Sequence, residues 1–110
     1  MSTISTIGVI GAGQMGGGIA QVAATSGINA ILFDAHGPQL ARARALHEKL
    51  MARAVEKGRM TQPDADAALK RITYVESFDD LGAADWIVEA VNEHRGLKND
   101  LFSRLAAMFA

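Results

Sequence analysis

Residues 7–16 read Ile-Gly-Val-Ile-Gly-Ala-Gly-Gln-Met-Gly and decide the fold. An apolar segment runs directly into three glycines with the spacing G-x-G-x-x-G, and small and apolar residues at helical spacing follow. In such a strand–turn–helix, Gly11 permits the tight turn and Gly13 omits the Cβ that would collide with a pyrophosphate. Gly16 lets the helix approach the sheet, and the first helical amides face the phosphates. The predicted cofactor contacts of this motif are Gly11, Gly13, Gln14, Met15 and Gly16.

An acidic residue follows the glycines at the distance that a dinucleotide site requires. Asp34 lies 18 residues after Gly16, close to the usual spacing of about 20. Its carboxylate is predicted to accept hydrogen bonds from the ribose 2′- and 3′-hydroxyls. The same charge would repel a 2′-phosphate, and Ala35 and His36 follow in place of an arginine, so NAD is predicted over NADP. A second role for Asp34, as a cap on the next helix, is compatible with the first, and His36 is predicted to be a solvated loop residue.

The hydrophobic pattern predicts an α/β fold, a Rossmann-type parallel sheet with a pair of helices inserted after the second strand. Strands are predicted at residues 4–10, 28–33, 72–75 and 86–91. Helices are predicted at residues 14–26, 38–57 and 63–71, followed by a last amphipathic helix that carries Leu97, Leu101, Phe102, Leu105 and Met108 or Phe109. Gly27 and Gly58 are predicted to end the first two helices, and residues 77–82 to form a turn or a single helical turn.

The second helix has two stripes with opposite preferences. The stripe predicted to face the core consists of Leu40, Ala43, Leu46, Leu50 and Ala54. Lys49, Arg53 and Lys57, four residues apart, form a basic stripe. Stripes of this kind are usually solvated helix faces.

The composition excludes several classes of protein. A chain of 110 residues fits one domain, and 49% hydrophobic residues are too many for a disordered chain. With no cysteine there is neither a disulfide framework nor a thiolate metal site, which favours a reducing cytoplasm. No apolar run approaches the roughly 18–20 residues of a membrane span, and no basic region precedes the first apolar stretch as in a signal peptide. A net charge of −1 argues against a nucleic-acid binder.

The fourth predicted strand supplies the other half of the expected site. Ala90 and Val91 lie at its carboxyl end, where open parallel sheets bind ligands, and are predicted to lie beneath the nicotinamide-side ribose. Glu93 and Lys98 follow in the loop and the first turn of the last helix. Their chemistry alone makes them a surface acid and a surface base.

Taken together, the motifs resemble the N-terminal part of the NAD-dependent 3-hydroxyacyl-CoA dehydrogenases, including the bacterial 3-hydroxybutyryl-CoA type. The matching segments are residues 9–21 (VIGAGQMGGGIAQ), 56–61 (EKGRMT), 85–93 (DWIVEAVNE) and 97–102 (LKNDLF). The resemblance covers essentially the whole chain in order and spacing. Dehydrogenases of the β-hydroxyacid group share the glycine turn but lack the inserted helical pair.

The resemblance implies an activity and further contacts. The family oxidises a (3S)-hydroxyacyl-CoA reversibly to the 3-oxoacyl-CoA with NAD, which implies an acyl-CoA substrate. It makes Glu93 and Lys98 cofactor contacts and Lys57 a candidate contact for the nucleotide end of coenzyme A, while Lys49 and Arg53 stay a solvated face. Met15 has core packing as its alternative role, and Trp86 is predicted to pack in the core.

This sequence also departs from the family in several respects. Its fifth strand, its serine- and asparagine-bearing segment, its catalytic His–Glu pair and its helical dimerisation domain have no counterpart in this sequence. His36, His47 and His94 are not in the catalytic context. Residues 1–110 are therefore expected to form a truncated NAD-binding domain that is inactive alone. A fourth strand left without its neighbour predicts self-association, and hence a homo-oligomer. The alternatives are a free-standing NAD-binding module and, less favoured, a β-hydroxyacid-type dehydrogenase.

Overall fold

The computed structural model describes residues 5–90 of the chain. Over this range the strands are β1 Thr6–Ile10, β2 Asn29–Phe33, β3 Ile72–Val75 and β4 Trp86–Glu89. The helices are α1 Gln14–Thr25, α2 Gly37–Glu56 and α3 Gln62–Lys70, and a 3₁₀ turn at Phe78–Ala83 joins β3 to β4. The predicted elements in this range are confirmed to within two residues. The predicted last helix lies outside the described residues.

The four described strands form one parallel sheet in the order β3-β2-β1-β4. The central strand β1 pairs with β2 from Thr6 opposite Asn29 to Ile10 opposite Phe33, and with β4 on its other side. The chain thus crosses from one edge of this sheet to the other between β3 and β4. The carboxyl ends of β1 and β4 flank the resulting switch point, where open sheets of this class bind ligands. The predicted Rossmann-type fold, with α2 and α3 inserted after β2, is confirmed.

Both faces of the sheet are covered, which explains the continuous apolar runs in β1 and β2. Val9 and Leu32 point into the cluster formed with α1, α2 and α3. Their neighbours Ile10 and Phe33 point into a second cluster on the opposite face, where the Phe33 ring meets Phe78 edge to face with centroids 5.4 Å apart. Because successive strand residues point to opposite faces, a strand buried on both sides needs consecutive apolar residues.

The helices end and begin where the sequence predicts. The amide of Ile28 donates to the Ala23 carbonyl at 2.9 Å, and that of Gly27 donates to Ala24 at 3.2 Å, which is the Schellman pattern that ends α1. Gly58 ends α2 in the same way. At the start of α3, the Thr61 hydroxyl accepts a hydrogen bond from the Asp64 amide. None of the helices over residues 5–90 is both long and apolar enough to pass through a lipid bilayer.

The predicted core stripe of α2 is partly wrong. The residues that α2 buries are Leu40, Ala43, His47 and Met51, whereas Leu46 is 47% exposed. On a helix with 3.6 residues per turn, two rows of side chains can follow Ala43: one contains the leucines, and the other contains His47 and Met51. The apolar pattern predicts that the row of leucines is the buried one. The other row is buried because the polar atoms of His47 find partners in α1 and β3.

The prediction of core packing for Met15 and Trp86 is also wrong. Met15 is 68% exposed and Trp86 is 58% exposed, and Val22 on the same helix as Met15 is exposed as well. Apolar character alone does not reveal which side of an element another layer will cover.

Candidate functional site

The glycine-rich turn leaves the sheet at its carboxyl edge. Gly11 extends the β1–β2 ladder, since its amide donates to the Phe33 carbonyl at 2.8 Å, and its φ of 101° is one that L side chains rarely adopt. Gly13 is the N-cap of α1, and the first helical bond runs from the Gly17 amide to the Gly13 carbonyl at 2.8 Å. The start of α1 is thereby held above the ends of β1 and β2.

Gly16 is required by the packing of the protein itself. A Cβ at this position would overlap the carbonyl oxygen of Gly11 and would lie 3.4 Å from Val9. The helix and the turn before it therefore approach each other more closely than any side chain allows, as the motif predicts.

Gly13, in contrast, is not required by the protein's own packing. A Cβ on Gly13 would have one neighbour within 4 Å among the described residues, the flexible end of Gln39 at 3.4 Å. The bare backbone here leaves space at the point where the amides of a helix N-terminus converge. This is the arrangement that a pyrophosphate needs, so the residues present fit a dinucleotide.

The first turn of α1 favours an anion. It contains no acidic residue, and its N-cap Gly13 has no side chain that could accept from the helical amides. The positive end of the helix dipole therefore faces the site uncompensated by α1's own side chains. Gln14 and Met15 lie in this turn and are both exposed beside the glycine backbone.

Asp34 lies against the glycine-rich turn. Its Oδ2 accepts a hydrogen bond from the Ala12 amide at 2.9 Å, and its Oδ1 accepts from the His36 amide at 2.9 Å. Asp34 is therefore part of an Asx-type turn, and the suggested cap role is wrong because the N-cap of α2 is His36. An ionised carboxylate has about four acceptor sites, so two remain for the hydroxyls of a ribose. The side chain of His36 is exposed, as predicted.

A cleft of about 310 Å³ opens beside the turn, between α1 and α2. Its lining includes Gly13 and Gln14 from the motif, together with Gln39, Arg42 and His47 from α2. Arg42 donates to the Gln39 side chain at 3.1 Å. None of these three α2 residues is among the contacts predicted from the sequence. Gln39 and Arg42 lie near the start of the helix that follows Asp34, and that position is the signal that could have found them.

Of the remaining predicted contacts, Ala90 and Lys57 lie within the described residues. Ala90 follows directly after β4, and its amide donates to the Ile10 carbonyl at 2.8 Å, which places it beside the turn at the carboxyl edge. The other three predicted contacts that follow it, Val91, Glu93 and Lys98, lie outside the described residues. Lys57 is exposed at the far end of α2, about 30 Å along the helix from the site at a rise of 1.5 Å per residue.

A glycine turn at a helix N-terminus, an acid at the end of β2 and a parallel sheet define a dinucleotide-binding domain of the Rossmann class. The family model for "3-hydroxyacyl-CoA dehydrogenase, NAD binding domain" matches residues 6–110. The chain belongs to this family, and NAD is its cofactor, as predicted.

Individual relatives agree with the family. The probable 3-hydroxybutyryl-CoA dehydrogenase of Deinococcus radiodurans is 44% identical over 98 residues, which are 89% of this chain and 35% of the relative. The 3-hydroxyadipyl-CoA dehydrogenase of Escherichia coli is 39% identical over 96% of this chain and 22% of its own length. The crystal structure of 3-hydroxybutyryl-CoA dehydrogenase from Escherichia coli matches with a TM-score of 0.93 at 36% identity, over 97% of this chain and 23% of that chain. The chain thus spans about a third or less of these proteins.

Proposed function

We propose that this chain is the NAD-binding unit of an enzyme that interconverts (3S)-3-hydroxyacyl-CoA and 3-oxoacyl-CoA. The observation that carries the proposal is the pairing of an open glycine backbone at Gly13 with a carboxylate at Asp34 in one site. The family match and the names of the relatives, which act on 3-hydroxybutyryl-CoA and 3-hydroxyadipyl-CoA, supply the substrate class. NAD, when bound, accepts the hydride that leaves the 3-carbon of the substrate.

The chain's own residues bind and orient the cofactor in this proposal. The amides of residues 14–16 hold the pyrophosphate, and Asp34 accepts hydrogen bonds from the adenosine ribose. Ala90 and Val91 lie beneath the nicotinamide-side ribose, and Glu93 and Lys98 contact the cofactor beyond β4. These roles are the ones that the sequence predicts for residues at the carboxyl edge of the sheet.

Calorimetric titration with NAD and NADP tests the assignment. The wild-type chain is expected to bind NAD at least tenfold more tightly than NADP, because Asp34 repels the additional phosphate. Asp34→Ala removes hydrogen bonds to a charged group that are worth about 1.5–3 kcal/mol, so NAD affinity should fall at least tenfold while the preference over NADP narrows. Equal binding of both nucleotides by the wild type, or binding of neither, would overturn the assignment.

Coenzyme A is proposed to reach the exposed basic stripe of α2. Lys57 is the candidate contact for its phosphates, because a lysine ammonium binds phosphate as a point charge. Lys57→Glu should weaken the binding of an acyl-CoA without changing NAD affinity, since Lys57 is a whole helix length from the glycine turn. Lys70→Glu, at the end of α3, is a matched charge reversal outside the stripe and should leave both affinities unchanged.

The 110-residue polypeptide is proposed to bind NAD without catalysing turnover, because His36, His47 and His94 are not in the family's catalytic context. We also propose a cytoplasmic location and no role in nucleic-acid or membrane binding. A mixture of the polypeptide, NAD and a short-chain 3-hydroxyacyl-CoA should show no rise in absorbance at about 340 nm, the signature of hydride transfer to nicotinamide. A rate typical of an enzyme would contradict this.

A further inference from the structure

His47 is a polar residue inside the apolar layer between the sheet and the helices. It lies on the core-facing side of α2, between Ala43 and Met51, and only 1% of its surface is exposed. Its Nε2 lies 2.7 Å from the carbonyl oxygen of Gly17 in α1, and its Nδ1 lies 2.6 Å from the hydroxyl oxygen of Tyr74 in β3. Both ring nitrogens are therefore satisfied, and one side chain connects three elements.

The partners determine which ring nitrogen carries the hydrogen. A carbonyl oxygen only accepts, so Nε2 carries a hydrogen and donates it to Gly17, and Nδ1 of that tautomer accepts from the Tyr74 hydroxyl. Burial raises the pKa of Tyr74 to about 12. The positive charge of Arg44 lowers this pKa in part, and the negative charge of Glu48 raises it further. The phenol therefore keeps the proton that it donates. Arg44 and Glu48, the charged groups near this pair, are both exposed.

Gly17 belongs to the turn of α1 that presents its amides to the dinucleotide. Its amide makes the first bond of the helix, to Gly13. Gly17 is buried against α2, since a Cβ at this position would lie 3.7 Å from His47 and 3.9 Å from Ala43. The hydrogen bond from His47 is a directional contact that joins this turn of α1 to α2.

We propose that His47 is a positioning residue of the dinucleotide site. It orients the first turn of α1 so that the amides of residues 14–16 point at the pyrophosphate. His47 also lines the cleft of about 310 Å³ beside Gly13 and Gln14, so it is adjacent to the backbone that it orders. The proposal goes beyond the proposed enzymatic activity and rests only on the binding of NAD.

Substitutions at His47 separate this role from simple core packing. His47→Leu keeps the volume but removes the donor, and should weaken NADH binding in calorimetry about tenfold, the effect of losing one well-aligned hydrogen bond. His47→Gln retains an Nε2–H donor at the same position and should restore affinity to within about threefold of the wild type. Tyr74→Phe removes only the second bond of the imidazole and should give an intermediate affinity.

A matched control accounts for stability. Met51→Ala removes a buried side chain one turn further along the same face of α2, and should lower the melting temperature while leaving the affinity of the folded chain for NADH unchanged. In ¹⁵N-labelled wild-type chain, the His47 Nε2 should have the chemical shift of a protonated nitrogen and Nδ1 that of an unprotonated one, both with and without NADH.

The outcomes are distinct. Wild-type affinity in His47→Leu, an equal loss in Met51→Ala, or the opposite tautomer in the spectrum would each overturn the positioning role. If His47→Leu does not fold, His47→Gln, Tyr74→Phe and the wild-type spectrum still decide the matter. A wild-type chain that does not bind NADH would overturn the cofactor assignment as well.

Discussion

Adding one methyl group at Gly13 or at Gly16 should have opposite consequences. Gly13→Ala finds room in the protein, since among the described residues, the two chain neighbours aside, only the flexible end of Gln39 would lie within 4 Å of the new Cβ. The variant should fold with a melting temperature close to that of the wild type. The methyl group would occupy the space of the pyrophosphate, so NAD affinity should fall at least tenfold. Calorimetry and thermal unfolding of the same samples measure both quantities.

Gly16→Ala is the companion substitution. Its Cβ would overlap the Gly11 carbonyl, so the start of α1 would have to move away from the sheet, which we expect to cost about 3 kcal/mol of unfolding free energy. Normal stability of Gly16→Ala, or unchanged NAD binding by Gly13→Ala, would contradict the separate roles that the geometry gives the two glycines.

Asp85 makes the stability of the chain depend on pH. Hydrogen bonds from the Ser5 hydroxyl, the Ser5 amide and the Thr6 amide hold the pKa of Asp85 below its ordinary value of 3.8. The folded state therefore prefers the ionised carboxylate. The ionised carboxylate stabilises the folded state fully at pH values above its ordinary pKa. This stabilisation is lost as the pH falls through the lowered pKa of the folded state.

Asp85→Asn tests this dependence. The variant should be less stable than the wild type at neutral pH, and the difference should close as the pH is lowered below about 4, where the unfolded carboxyl becomes protonated. Urea unfolding at a series of pH values measures the difference. A gap between the two proteins that stays constant down to the lowest pH would show that the charge of Asp85 is not involved.

The glycine motif and Asp34 could be predicted from the sequence because each is a local requirement. The motif needs a particular backbone at particular positions, and Asp34 needs only to follow a strand. The role of His47 could not be predicted in this way, since it depends on how α2 lies against α1 and β3. A histidine at a core position looks from the sequence like an interruption of the apolar stripe.

At the scale of elements, Arg71 joins the end of α3 to the end of α1. Its guanidinium donates to the Ala24 carbonyl at 2.8 Å, in the last turn of α1, where a cation also meets the negative end of the helix dipole. Arg71→Met keeps much of the apolar stem but removes the donor, and should lower the unfolding free energy by about 1 kcal/mol. Lys70→Met, at the exposed neighbouring position, should change the unfolding free energy little. If urea unfolding shows the same loss of stability in both variants, the hydrogen bond of Arg71 does not stabilise the chain.

The bounds of the elements were predictable because capping and turn residues mark them. Gly27 and Gly58 act locally, and each is found at the helix end that it predicts. The rotation of α2 was not predictable, because a row through Leu46 and a row through His47 both satisfy the helical period. Packing against α1 and β3 chooses between these rows.

At the scale of the whole molecule, the described residues leave apolar surface uncovered. Met15 and Val22 are exposed on α1, and Trp86 is exposed at the start of β4. In the register with β1, Trp86 pairs with Ile7 and so points to the same face as Val9, the face that carries α1. Surfaces of this kind promote association when they are contiguous.

We expect the exposed Trp86 and the edge strand that carries it to promote self-association of the chain. β4 is an edge strand of the sheet over residues 5–90, and an edge strand beside an exposed tryptophan favours pairing with a second copy. Light scattering should report a mass that rises with concentration, and Trp86→Glu should shift the chain toward the monomer because burying a carboxylate in the contact is unfavourable. Lys49→Glu, an exposed polar position on α2, should not. A monomeric wild type over a wide range of concentration would show that the exposed apolar residues do not form a contact between copies.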